Sequence, residues 1–161
     1  MQNETNIQPL AREMLNYLVV ADTEFKNDLC SRITEVVHKY APSPRWHIDT
    51  LITMLSIAGQ HVSHEICSSI IVLISKNAEL HPYVVHKLFK LLVEDTSQEA
   101  LTHAGVWCIG EYGEHLLSAP AEMAGAQPVE EKKVLDILEK SMKSYFSTDH
   151  MKVPSALLYC R

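Results

Sequence analysis

Apolar residues recur along this chain with helical spacing, and the recurrences come in pairs. Leu10, Met14, Leu15 and Leu18 share one side of a predicted helix over about 7–21, because residues three and four apart stack on one face of a 3.6-residue turn. Asp22 is placed to cap a second helix that turns Phe25, Leu29, Ile33, Val36, Val37 and Tyr40 inward. The pattern stops at Tyr40. Pro42 and Pro44 forbid its continuation, since proline lacks an N–H and pushes the residue before it out of the α region. The same stretch restarts a helix, with Ser43 as N-cap and Pro44 at the first helical position. Trp46, Leu51, Leu55 and Ala58 form the stripe of this third helix, over about 44–60, and Ser63 caps a fourth that turns Ile66, Ile70, Leu73 and Ile74 inward.

Shifted by 37 residues, the first pair of helices falls on the second. Leu15 meets Ile52, Leu18 meets Leu55, Ala21 meets Ala58 and Phe25 meets Val62; then Leu29 meets Ile66, Cys30 meets Cys67, Ile33 meets Ile70 and Val37 meets Ile74. Apolar lands on apolar throughout, with a period in the range of helix-pair solenoids. A third pair follows this register to within a residue or two. Its first helix starts at Pro82 and buries Val85, Leu88, Phe89 and Leu92. Thr96 and Glu99 are spaced as a capping box for a helix carrying Leu101, Ala104, Trp107, Cys108, Ile109 and Tyr112. Gly105, Gly110 and Gly113 on that helix point to a close neighbour or a bend, because glycine otherwise costs a helix about 1 kcal/mol relative to alanine.

Residues 118–128 are poor in apolar periodicity and read as a mobile linker. Pro128 then opens a further helix, with Val134, Leu135, Leu138, Met142 and Tyr145 on one side and the i, i+4 pairs Asp136–Lys140 and Glu139–Lys143 on the other. Beyond Ser147 the periodicity fails and Pro154 interrupts, so 148–161 reads as an irregular or truncated tail. The expectation is an all-α chain: an α-solenoid of stacked antiparallel helix pairs, HEAT- or armadillo-like, of about seven to eight helices spanning 6–147.

Composition narrows the function. A formal charge of −6, with lysines scattered among acids, argues against a nucleic-acid binder, which needs a clustered basic face. No apolar run approaches the roughly 20 residues of a membrane span, and the polar N-terminus lacks a signal-peptide profile. Cys30, Cys67, Cys108 and Cys160 are too far apart for a CxxC zinc site or a dense disulfide framework. Reduced thiols and a cytoplasmic location are expected.

Candidate chemistry is sparse. His61 and His64 have HxxH spacing, and with Glu65 they would make the start of a small zinc hydrolase site, but a zinc ion wants three or four convergent ligands. His81 and His86 flank the next helix start without a suitable partner. Glu111 and Glu114 could be drawn as an acid/base couple, yet they lie on a polar helix edge with no nucleophile motif nearby. Trp46 and Trp107 read as core anchors. The sequence therefore assigns no catalytic, cofactor-binding or metal residue and calls for no cofactor. It describes a scaffold.

The seam Lys39-Tyr40-Ala41-Pro42-Ser43-Pro44-Arg45-Trp46-His47-Ile48-Asp49-Thr50 closely resembles a segment of the γ-adaptins. These are large chains of the heterotetrameric clathrin adaptors of the trans-Golgi network and endosomes. Ala78-Glu79-Leu80-His81, Val106-Trp107-Cys108-Ile109-Gly110-Glu111-Tyr112-Gly113 and Val134-Leu135-Asp136-Ile137-Leu138-Glu139 resemble the family in the same order. The likeness covers about 6–147; the Ala-rich linker and the tail depart from it. The resemblance implies a non-enzymatic piece of the later α-solenoid trunk, in a complex with a second large adaptin, a medium and a small chain. Through that complex it implies clathrin, an Arf-family GTPase, phosphoinositide and peripheral attachment to trans-Golgi, endosomal and coated-vesicle membranes, in vesicle-mediated protein transport. It transfers no site residue. Helix periodicity alone leaves another adaptin large chain, or a transport-receptor or phosphatase-scaffold repeat, as the alternative.

Overall fold

The computed structural model of the chain describes residues 6–118 and 128–147. The predicted linker, save its ends, and the predicted tail lie outside the described residues. Among the described residues there are eight α-helices and no strand. They fall into two compact units, divided between Leu80 and His81.

In the first unit, α1 (Ile7–Val20) packs on α2 (Thr23–Tyr40) and on α3 (Pro44–Ala58), and α2 packs on α3. A 3₁₀ turn at Gly59–His61 leads to α4 (His64–Ser75), which packs on α3. Ala11 and Leu18 of α1, Ile33 and Val37 of α2, Ile48, Leu51 and Leu55 of α3, and Ile70 and Ile74 of α4 are all buried. The Pro-Ser-Pro seam behaves as its residue chemistry requires: Ser43 is extended, its hydroxyl accepts a bond from the Trp46 N–H at 3.3 Å, and Pro44 opens α3. Ser63 caps α4 in the same way through the Ile66 N–H. Asp22 occupies the N-cap position of α2 with extended backbone but makes no side-chain cap bond.

The repeat also sets where the helices begin. Ile7, Pro44 and His81 open the first helices of three pairs, each 37 residues after the last. Burial keeps the same register: Ala11, Ile48 and Val85 are buried, as are Leu18, Leu55 and Leu92. The second helices share it less strictly, and Phe25 departs from it. Expected inside, Phe25 is 60% exposed. The buried face of α2 is turned toward Cys30, Ile33, Thr34 and Val37, because α2 has neighbours on two sides, α1 and α3.

The second unit begins with α5 (His81–Glu94), which packs on α6 (Glu99–Tyr112), the short α7 (Glu114–Leu117) and α8 (Glu131–Ser147). Its core is Val85, Phe89, Leu92, Ile109 and Leu116, closed by Tyr112, Val129, Val134, Ile137 and Leu138. The Val129 N–H donates to the Leu116 carbonyl at 2.8 Å and ties the start of the last segment to α7. Two expectations are corrected here. Gln98, not Thr96, is the N-cap residue of α6, so the Thr96 capping box is not the start of the helix. The Asp95 carboxylate instead accepts bonds from the Ser97 N–H (2.7 Å) and hydroxyl (2.9 Å) just before it. On α8 the inward stripe is Val134, Ile137, Leu138 and Ser141, while Leu135 and Met142 are exposed.

Candidate functional site

The residues that sequence alone raised for catalysis are not brought together. The His61 ring faces Asn27 of α2 at 3.2 Å, whereas His64 and Glu65 are exposed on the first turn of α4. Among the described residues no three His, Cys, Asp or Glu side chains are grouped to hold a metal ion. Glu111 and Glu114 are both exposed rather than set in a cleft. His86 is buried. Its Nδ1 donates to the Pro82 carbonyl at 2.9 Å, and its Nε2 is buried with no bond partner. Trp46 and Trp107 are half-buried rather than core anchors. The Trp107 ring meets Tyr112 edge-on, and His81 stacks on the same tyrosine at 3.8 Å between ring centroids. Burial, with Cys108 and Glu111 adding to it, holds the Tyr112 hydroxyl above its ordinary pKa.

What the first unit does present is a junction between successive helix pairs. The Pro-Ser-Pro seam turns the chain back so that α3 lies along α2. Across this junction the Thr34 hydroxyl faces the Met54 sulfur at 3.8 Å, and the His38 and His47 rings meet nitrogen to nitrogen at 3.0 Å. The two imidazoles are set edge to face. His47 is nearly buried, and burial first, then the neighbouring His38, pushes its pKa down to about 4. It is neutral at physiological pH, so its Nε2 and the His38 Nδ1 share a single N–H···N bond.

Beside this junction α2 and α4 flank an open hollow of about 510 Å³, lined by Ser31, Thr34, Glu35, His38, Lys39, Ser63, Glu65, Ile66 and Ser69. Three of its four hydroxyls spend their protons on helix carbonyls. Ser31 donates to the Asn27 carbonyl, Thr34 to that of Cys30 and Ser69 to that of Ile66, at 2.8–3.1 Å. A serine nucleophile needs its proton held by a base, and here the protons go to helix carbonyls. The Cys30 thiol is equally inert: burial pushes it up to about 11, so it is not a thiolate at neutral pH. The arrangement suits non-covalent contact. The junction was partly legible in the sequence, where the seam marks the boundary between pairs. The histidine bridge was not, since His38 and His47 lie on different helices and only the fold makes them meet.

No helix among the described residues is long and apolar enough to cross a membrane. The family model described as the adaptin N terminal region matches residues 1–158. A protein of Dictyostelium discoideum, the AP-1 complex subunit gamma, is 42% identical over 141 residues, covering 84% of this chain and 16% of that relative. The AP-1 complex subunit gamma-1 of Mycosarcoma maydis is also 42% identical, over 88% of this chain and 16% of its own length. The mouse AP-1 complex subunit gamma-like 2 is 37% identical over 98% of this chain and 19% of its own length. The chain thus spans less than a fifth of each of these relatives. With the helix pairs, the seam and the stretch Val106 to Gly113 in place, the matches agree with the resemblance found in the residues. This chain belongs to the adaptin N-terminal region family.

Proposed function

We propose that this chain is a non-enzymatic segment of the γ-type large subunit of a clathrin adaptor complex. In that role it is an α-solenoid segment and assembly surface in vesicle-mediated protein transport between the trans-Golgi network and endosomes. The single observation that carries the reading is the 42% identity to a γ subunit over 84% of the chain. The helix-bonded hydroxyls of Ser31, Thr34 and Ser69 and the buried Cys30 thiol support the non-enzymatic part of it. In this reading residues 6–147 act as one trunk segment, and 148–161 lies outside it. Its partners are a second large adaptin, a medium and a small chain. Clathrin and an Arf-family GTPase engage the complex as a whole, and so does the membrane. No nucleic acid takes part.

Co-expression tests this directly. The tagged chain, produced with the small adaptor subunit and the second large adaptin, is expected to recover at least one of them stoichiometrically. A well-folded chain that recovers neither, at concentrations where adaptor subunits assemble, overturns the assembly role and leaves the family membership standing.

A further inference from the structure

The open hollow between α2 and α4 is rich in hydrogen-bond acceptors and poor in donors. Ser31, Thr34 and Ser69 each donate their single hydroxyl proton to a carbonyl of their own helix, so toward the hollow they offer oxygen lone pairs and no donor. The fourth hydroxyl, on Ser63, accepts the Ile66 N–H as the α4 cap. Glu35 on the α2 wall and Glu65 on the α4 wall are exposed carboxylates, which only accept. The bases one turn either side of Glu35 are engaged elsewhere: Arg32 bonds the Asp28 carboxylate at 2.8 Å, and the Lys39 Nζ lies over the Tyr40 ring, 5.3 Å from its centroid. The repeat does not call for this lining, because one 37-residue period on, Ile71, Val72 and Thr102 stand at the places of Thr34, Glu35 and Glu65. Both walls pack on α3 within the first unit, so neither is a face left open at an end of the chain.

We propose that this hollow receives an arginine side chain from an extended segment of a partner protein, with Glu35 and Glu65 supplying the opposing charge. A guanidinium carries five N–H donors, no acceptor and a permanent positive charge, which is the complement of what the walls offer. Its stem has Ile66 of the lining to lie against. The volume of about 510 Å³ is ample for one side chain, and the open mouth leaves room for the main chain that bears it. A metal ion does not suit the place, since among the described residues no three ligating side chains are grouped. This recognition is independent of the adaptor role, and a peptide probe without adaptor subunits tests it alone.

The probe is the blocked tripeptide acetyl-Ala-Arg-Ala-amide, titrated into the isotopically labelled full chain and followed by amide resonances. Saturable shifts are expected at Ser31, Glu35, Glu65 and Ser69, with an affinity in the millimolar range suited to a single side chain. The same peptide with citrulline, a neutral isostere of arginine, is expected to bind at least tenfold more weakly. Glu35→Gln and Glu65→Gln, both at exposed positions, are each expected to weaken the arginine peptide at least threefold, and together to abolish the shifts. Glu94→Gln, an exposed acid of the second unit, is expected to change nothing. Should Glu65→Gln melt at lower temperature than the parent, Glu35→Gln in the middle of α2 carries the test by itself. Shifts that never saturate or spread over the acidic surface overturn the proposal. So does equal binding of the citrulline peptide, or binding that Glu35→Gln leaves unchanged.

Discussion

Gly105 and Gly110 lie on the same helix and answer differently to the same change. A Cβ on Gly105 would lie 2.7 Å from the Leu92 Cδ1 and 3.1 Å from its Cγ, and Leu92 is fully buried with little room to give. Gly105→Ala is expected to cost about 1–2 kcal/mol, the overpacking loss outweighing the gain in helix propensity. Gly110 is exposed in the last turn of α6, and Gly110→Ala is expected to stabilise by up to about 1 kcal/mol. Denaturant midpoints read both. His47 sets a pH dependence. Its pKa falls from 6.5 free to about 4 folded, so the unfolded chain takes up the proton first. The stability it contributes is whole above pH 6.5 and is lost as pH falls toward 4, by up to about 2 kcal/mol at pH 5. Urea titrations of the parent and His47→Gln at pH 7 and pH 5 check this, the variant losing less between the two.

At the level of helices, α8 is the sharpest case. Its inward stripe runs through Leu138 and leaves Leu135 on the water side. Leu138→Ala is expected to cost about 1–2 kcal/mol and Leu135→Ala less than about 0.5 kcal/mol, measured by chemical denaturation. Periodicity found this helix but rotated its face, and it rotated that of α2 as well, in the opposite sense. The physical reason is shared. Ser141 donates its hydroxyl to the Ile137 carbonyl, Thr34 to that of Cys30 and Thr50 to that of Trp46, each at 2.8 Å. A hydroxyl that bonds its own helix needs no water, and it is buried as readily as an apolar group. Hydropathy counts Ser141 and Thr34 as polar and assigns Phe25 or Leu135 to the core in their place. The helix pairs, the seam, the Ser43 and Ser63 caps and the tight packing at Gly105 were all legible, because each is local or repeats. The His38–His47 bridge and the four-residue α7 were not, as neither has a period to betray it.

The whole molecule has a tryptophan in each compact unit, Trp46 in one and Trp107 in the other. In a Trp107→Phe background Ile33→Ala is expected to lower the midpoint reported by Trp46, and in a Trp46→Phe background Leu88→Ala that reported by Trp107. Ile33 and Leu88 are both fully buried, so each loss should reach about 2–4 kcal/mol for its own reporter and be smaller for the other. Fluorescence-detected urea titrations separate the two. The equal spacing of Ile7, Pro44 and His81 holds although the parts between them do not match. From the first pair to the second, the second helix shrinks from 18 to 12 residues, and the connection of Ala21 and Asp22 is replaced by the longer one from Gly59 to Ser63. The chain therefore keeps a fixed stride and lets the boundary inside each stride slide. Between its first two pairs, residues pass from a helix end to the adjoining turn without disturbing the start of the next pair. A single residue added within α1, α3 or α5 has no such refuge. It turns every later side chain of that helix by about 100° and throws the next stride out of step.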